Sequence, residues 1–201
     1  MKETDFSQSQ TLTNLARAFA GECQANIRIK MISKKALDEG YFELSKLLYA
    51  VAKHDCIHAT LFYDAITQNL GNSQNNVEIT AGYPFKSGTI LQNLKNCYEN
   101  QLSEGSVIYP QFATIAKDEG FLPIVALFEQ VASVELEHAK LLNTLYEKTK
   151  SNQLYKSGEE QKWVCGVCGY IKQAKSALKT CPLCGADRHQ FILTFEGQQK
   201  N

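Results

Sequence analysis

The chain has 201 residues, 44% of them hydrophobic, with 21 basic and 21 acidic side chains and a net charge of zero. That balance is typical of a globular protein and supplies no global field to draw in nucleic acid or an anionic membrane surface, so neither is expected as a partner. The longest apolar runs, Leu47 to Ala52 and Ile124 to Phe128, fall far short of the roughly 20 residues that a bilayer span needs.

The polar N-terminus, MKETDFSQSQTLT, lacks the apolar stretch of a secretory signal, which predicts a cytoplasmic protein. In a reducing compartment, seven cysteines point to metal or redox chemistry rather than to disulfides. Apolar residues three and four apart predict helices near 9–39, 41–70, 88–119 and 121–149. Gly40, Gly71 and Gly120 stand where helices should stop. Pro123 suits the first turn of its helix, whereas Pro110 falls inside the third and should kink it. Residues 72–87 have no helical period and form the one long connection. The halves repeat at an offset of 80 residues: Asp38-Glu39-Gly40-Tyr41-Phe42 returns as Asp118-Glu119-Gly120-Phe121-Leu122, and Asp55-x-x-His58-Ala59 as Glu135-x-x-His138-Ala139. Two helical hairpins joined by one crossover predict an all-α four-helix bundle over 1–150. Residues 151–161 read as a polar linker. The segment 162–201 has four cysteines and too little apolar mass for a core of its own, so metal must staple it.

Each predicted helix carries polar residues in the middle of its apolar stripe. The second runs Leu44, Leu47, Leu48, Val51, Asp55, His58, Phe62, Ile66; the fourth runs Ile124, Phe128, Val131, Glu135, His138, Leu142, Leu145. The first places Glu22 between Phe19 and Ile29. The third passes through Leu94, Cys97 or Tyr98, Gln101, Glu104 and Ile108. A carboxylate buried alone protonates or finds a partner, and these stripes hold no Lys or Arg. Glu22, Asp55, Glu104 and Glu135 with two imidazoles match a pair of divalent ions, whether iron, manganese or zinc. Cys23, Cys56 and Cys97 read as small core residues and His54 as a surface histidine. Tyr109 either enters the site or packs beside it.

Cys165-Gly-Val-Cys168 and Cys181-Pro-Leu-Cys184 are two C-x-x-C pairs, each followed by a glycine, that close an S₄ site for zinc or iron. Trp163 and Tyr170 are placed to cover it.

These motifs resemble the rubrerythrins, in which a ferritin-like di-iron bundle precedes a rubredoxin-like domain. The carriers are Phe19-Ala-Gly-Glu22, Asp55-x-x-His58-Ala59, Glu104 with Tyr109-Pro110, Glu135-x-x-His138, and Trp163-x-Cys165-x-x-Cys168-Gly-Tyr170 with Cys181-Pro-x-Cys184-Gly185. The resemblance implies a cytosolic, homodimeric di-iron peroxidase that reduces hydrogen peroxide to water. Its third iron, in the four-cysteine centre, would take electrons from rubredoxin or an NAD(P)H-dependent reductase. It implies Glu22 as a terminal ligand, Asp55 and Glu135 as bridges and His138 as a nitrogen ligand. Glu104 and His58 are implied as a pair that exchanges at one iron, with Tyr109 beside them. The sequence departs from the pattern at Asp55, one methylene shorter than the usual Glu, at Gln101, where another ligand Glu is usual, and at Ile29, where a pocket tyrosine is expected. An iron-handling or electron-transfer protein with a degenerate bundle site is the alternative.

Overall fold

A computed structural model describes residues 5–71 and 76–193. Its first long helix, α1 (Gln10–Asp38), is capped by Ser9, whose hydroxyl accepts from the Leu12 amide at 3.0 Å. It turns at Gly40 into α2 (Phe42–Leu70). The repeated Asp-Glu-Gly is one turn used twice. Gly40 and Gly120 sit at φ +84° and +92°, and the next residues, Tyr41 and Phe121, donate back to Ala36 and Ala116 at 2.8 Å. Glycine reaches that backbone region without a Cβ penalty, which fixes both hairpins.

The predicted third helix is interrupted. It comprises α3 (Ile90–Ser103), a π-helical turn (Glu104–Ile108) and α4 (Tyr109–Asp118). Pro110 follows the π turn directly, with helical backbone on both sides, so the hydrogen bond it cannot donate falls inside the run and is accommodated by the widened turn just upstream that carries Glu104. The last helix, α5 (Leu122–Lys150), has its proline in the first turn. Glu119 ties the hairpins together, its carboxylate accepting from the Gln10 and Thr11 amides at 2.9 and 2.8 Å at the start of α1.

Two apolar clusters fill the bundle. One, including Leu15, Phe62, Tyr109 and Phe128, occupies one end; the other, including Ile29, Leu48, Leu94 and Leu142, occupies the opposite end. The polar residues of all four stripes form the layer between them.

Strands β1 (Lys156–Cys165), β2 (Ile171–Ser176) and β3 (Phe191–Leu193) make an antiparallel sheet in the order β2-β1-β3. Contrary to the linker reading of 151–161, β1 begins at Lys156. Its first half is exposed, its register shifts between Lys156 and Gln161, and so its composition is polar. The end of the predicted C-terminal domain, from 194, lies outside the described residues.

Gly105 marks the closest approach of the π turn to α5. A Cβ there would meet the Ala132 carbonyl at 2.8 Å and the Leu136 amide nitrogen at 3.0 Å. Because backbone cannot swing aside, Gly105→Ala is expected to cost about 1–3 kcal/mol in chemical denaturation; an unchanged midpoint would contradict this close packing.

Candidate metal centres

α1 brings Glu22, α2 Asp55 and His58, and α5 Glu135 and His138 into the middle layer, all buried. Donor atoms of Glu22, Asp55, His58 and Glu135 lie within 4.8 Å of one another. His58 Nδ1 is 2.7 Å from Glu135 Oε1 and 3.6 Å from Glu22 Oε2. His138 Nδ1 is 3.0 Å from Glu135 Oε2, 3.8 Å from Asp55 Oδ1 and 2.8 Å from Gln101 Oε1. Gln101, buried on α3, therefore faces the second histidine. Glu104 stands outside the 4.8 Å group, half-buried in the π turn.

The donor set fits cations. Glu22 Oε2, both Asp55 oxygens, Glu104 Oε2, Glu135 Oε1 and His58 Nδ1 are buried without an aligned hydrogen-bond partner. Apart from the His58 Nδ1–Glu135 Oε1 pair at 2.7 Å, the clustered atoms crowd together without bonding to each other, which aims them at a shared point. Among the described residues, the ion pairs of these carboxylates are with His58 and His138 alone. Burial raises the carboxyls of Glu22, Asp55 and Glu104 above their ordinary values, and their neighbours' charges add to the rise. Burial would lower His58, but Glu135 and Glu22 outweigh it and hold the imidazole up at about 10. A protonated His58 thus stands in for a cation.

Tyr109 enters the site: its hydroxyl donates to Glu22 Oε1, leaving Oε2 free. His54 is exposed, as expected of a surface histidine, yet its Nδ1 lies 3.0 Å from His138 Nε2 and the rings stack at 7°. The only sequence signal for this contact is the one-turn spacing to His58. Cys97 is buried as expected, but Cys23 and Cys56 are exposed, because their rotation away from the neighbouring acids carries them to the outer surface.

In the C-terminal domain, Cys165 and Cys181 are buried and Cys168 and Cys184 face outward. The Cys165–Cys184 and Cys168–Cys181 sulfurs are 3.7 and 3.6 Å apart. A metal about 2.3 Å from four tetrahedral sulfurs requires edges of about 3.8 Å, so the tetrad fits one ion. Gly169 and Gly185 each donate to the carbonyl of the first cysteine in their pair at 2.9 Å, closing both knuckles. Burial pushes the Cys181 thiol up, but the Cys184 and Leu183 amides outweigh it and hold it at about 7. Trp163 is buried against the tetrad and donates to the Ala174 carbonyl at 3.0 Å, with Tyr170 partly buried beside it.

A family model described as "Rubrerythrin" matches residues 13–146 and 99–165, and one described as "Rubrerythrin, rubredoxin-like domain" matches 163–192. The chain belongs to the rubrerythrin family. It is 37% identical to rubrerythrin-1 of Clostridium acetobutylicum over 177 residues, 88% of this chain and 90% of the relative. To the rubrerythrin of Porphyromonas gingivalis it is 32% identical over 195 residues, 94% of each. Among solved structures, the mixed-valence state of nigerythrin aligns with TM-score 0.61 at 24% identity, covering 96% of this chain and 94% of that one. A Desulfovibrio desulfuricans bacterioferritin aligns with TM-score 0.63 at 19% identity, over 72% and 82%. The fold is a ferritin-like bundle with a small C-terminal strand domain. Like other rubrerythrins, the chain is an iron-binding oxidoreductase of the oxidative-stress class, with a di-iron site in the bundle and a four-cysteine site.

Two measurements probe the bundle site. Groups raised on folding keep protons that the unfolded chain has lost, so their stabilisation is complete below the unfolded pKa and fades as pH rises through the folded one. Glu22, Asp55 and Glu104, raised from 4.5, 3.8 and 4.5, and His58, raised from 6.5 to about 10, all act in this sense. Glu135 is held low by His138 and His58 against its burial, and it opposes them only below its ordinary 4.5. With its bundle free of metal, the protein is therefore expected to lose thermal stability between pH 5 and 8, followed by helical circular dichroism, and to recover it with manganese(II). Equal melting at both values without metal would contradict the reading. Separately, His54→Ala is expected to weaken the second metal by about 10–100-fold in titration calorimetry, with Gln at that position recovering part of it as an acceptor.

Proposed function

We propose that the chain is a peroxidase that reduces hydrogen peroxide to two waters with two electrons and two protons. The observation that carries the reading is the convergence of three buried carboxylates and His58, with His138 beside them and Glu104 at the edge, in one chain that also holds a four-cysteine centre. Glu22, Asp55, His58, Glu104, Glu135 and His138 would hold the two irons, with Gln101 a neutral neighbour at the second. Bound iron supplies the electrons and the Lewis acidity for O–O cleavage. The protein's own groups manage charge and protons. Tyr109 holds Glu22 Oε1 by its hydroxyl, which orients the other oxygen inward. Glu104, its carboxyl raised in the metal-free site by burial and by Glu22, Glu135 and Asp55, stands at the edge of the site, where it would take up a proton when it is not ligating. His58, 2.7 Å from Glu135 in the metal-free site, would do the same. Glu104, His58 and Tyr109 are the catalytic residues of the proposal.

Electrons would enter through the four-cysteine centre from a rubredoxin or an NAD(P)H-dependent reductase. Gly166 of the first knuckle packs on the Phe42 ring, where a Cβ would meet it at 3.2 Å. Phe42 is thirteen residues from Asp55 on α2, about 20 Å at 1.5 Å per residue. A separation of that size within one chain favours a homodimer in which the C-terminal domain of one subunit serves the bundle of the other. Asp55 and Gln101 favour a second reading, an electron-transfer or iron-handling protein with a weakened bundle site.

Stopped-flow mixing of anaerobically reduced protein with stoichiometric hydrogen peroxide separates the two: reoxidation far faster than by air is expected, and a rate no faster than air supports the second reading. Cys181→Ser is expected to remove the chromophore of the cysteine tetrad and suppress steady-state turnover with a rubredoxin donor, while a single reoxidation of the pre-reduced bundle persists.

A further inference from the structure

A cavity of about 490 Å³ lies between α1 and the α3–α4 arm, and Glu104 and Tyr109 form the part of its wall nearest the acid cluster. Hydrogen peroxide is little larger than a water molecule, whose share of liquid volume is about 30 Å³, whereas this space is in the range of sites for small organic ligands. Its floor is kept open by small residues, Ala18 and Gly21, and its roof is the segment 80–84 of the crossover. Roof and floor are tied reciprocally: the Tyr83 hydroxyl donates to the Arg17 carbonyl at 3.0 Å, and Arg17 Nε donates to the Thr80 carbonyl at 3.0 Å.

The charge at this cavity is unbalanced. Arg17 and Arg28 lie on the same face of α1, three turns apart, with Glu22 at a level between them. Neither guanidinium makes an ion pair among the described residues. The side-chain oxygens near them are amides, Asn14 Oδ1 at 3.3 Å from Arg17 and Gln24 Oε1 at 2.9 Å from Arg28. Among the described residues Glu104 is the sole acid in the lining, and Arg28 lies close enough to oppose the rise of its carboxyl. Arg17 shares that lining with Ile108, Tyr109 and Phe112, and among the described residues no carboxylate of the lining forms an ion pair with it. A guanidinium beside an apolar wall recognises an amphiphilic anion, carboxylate on the charge and chain on the rings.

We propose that this cavity admits organic hydroperoxides that carry a carboxylate, of the fatty-acid type. The carboxylate sits on Arg17, about 7.5 Å along α1 from the level of Glu22, and the peroxide group points at Glu104 and Tyr109. The reaction is ROOH plus two electrons and two protons to ROH and water. The O–O bond breaks, one oxygen leaves as water and the other stays on carbon as the alcohol. The electrons come one at a time from the external donor through the four-cysteine centre. The proposal rests on the peroxidase reading and extends its substrate class.

Anaerobically reduced protein is to be mixed with hydrogen peroxide, tert-butyl hydroperoxide and linoleate hydroperoxide. Saturation with linoleate hydroperoxide is expected. Arg17→Gln should lower its efficiency relative to hydrogen peroxide about tenfold, the worth of one charge-assisted contact, and Arg17→Lys should restore most of it. Independently of turnover, calorimetry with hydroxylinoleate, the product alcohol, should show binding to the oxidised protein that weakens in the same order. Linoleate hydroperoxide that never saturates, or an Arg17→Gln variant that loses both substrates alike, would overturn the proposal while leaving hydrogen peroxide turnover intact as a reading. Failure of hydrogen peroxide itself would sink the peroxidase reading, and hydroxylinoleate binding would then decide the cavity alone.

Discussion

Three carboxylates buried in one layer, Glu22, Asp55 and Glu135, with the half-buried Glu104 at their edge and no lysine or arginine ion-paired to them among the described residues, are the constraint on which the bundle depends. An isolated buried ion costs several kcal/mol even after relaxation, a large fraction of the stability of a domain this size. The chain contains that cost in three ways. Burial raises the carboxyls of Glu22, Asp55 and Glu104 above their ordinary values, His58 carries positive charge against Glu135 and Glu22, and cations satisfy the oxygens that nothing in the protein does. Apolar clusters on both sides seal the layer and supply the packing that holds the helices while the middle is electrostatically unfavourable. The hairpin turns at Gly40 and Gly120 then set where along each helix the acids fall, so that a repeat in sequence becomes a facing pair of acid-x-x-His motifs in space.

The two halves of the site are unequal. Around His58 the acids are dense, and Glu22 is oriented by Tyr109. Around His138 the ring is shared among Asp55, Glu135 and Gln101, and its far nitrogen meets His54. Gln101 sets a neutral amide rather than a carboxylate against His138, so less negative charge faces a cation on that side. The His54 contact acts the other way, because an acceptor on Nε2 fixes the tautomer that leaves Nδ1 free to ligate.

Much of this was legible in the residues themselves. An acid and a histidine three apart on an apolar stripe have no structural reason to be there, and an acid on each of the four helices identifies a layer rather than an accident. Two C-x-x-C knuckles with glycines after them read directly as a metal tetrad. What the stripes did not disclose depends on backbone detail or on partners far away in sequence. The π turn at Glu104–Ile108 hides behind an ordinary helical period, since one widened turn moves Glu104 without altering the pattern around it. β1 begins within a stretch whose polar composition reflects exposure on both faces, which periodicity cannot distinguish from a linker. His54 looks like any exposed histidine until α5 brings His138 against it. The cavity beside Glu104 is made by the crossover folding back over Gly21, a contact with no local sequence signal.

The central claim is that the buried acids exist to hold cations and that the chain carries two chemically different metal sites. Metal analysis of protein produced with iron, read together with its visible spectrum, tests that claim most directly. About three irons per chain are expected, one with the red thiolate absorption of a four-cysteine centre and two without it. A folded protein with one metal per chain, all of it accounted for by the tetrad, would contradict the account.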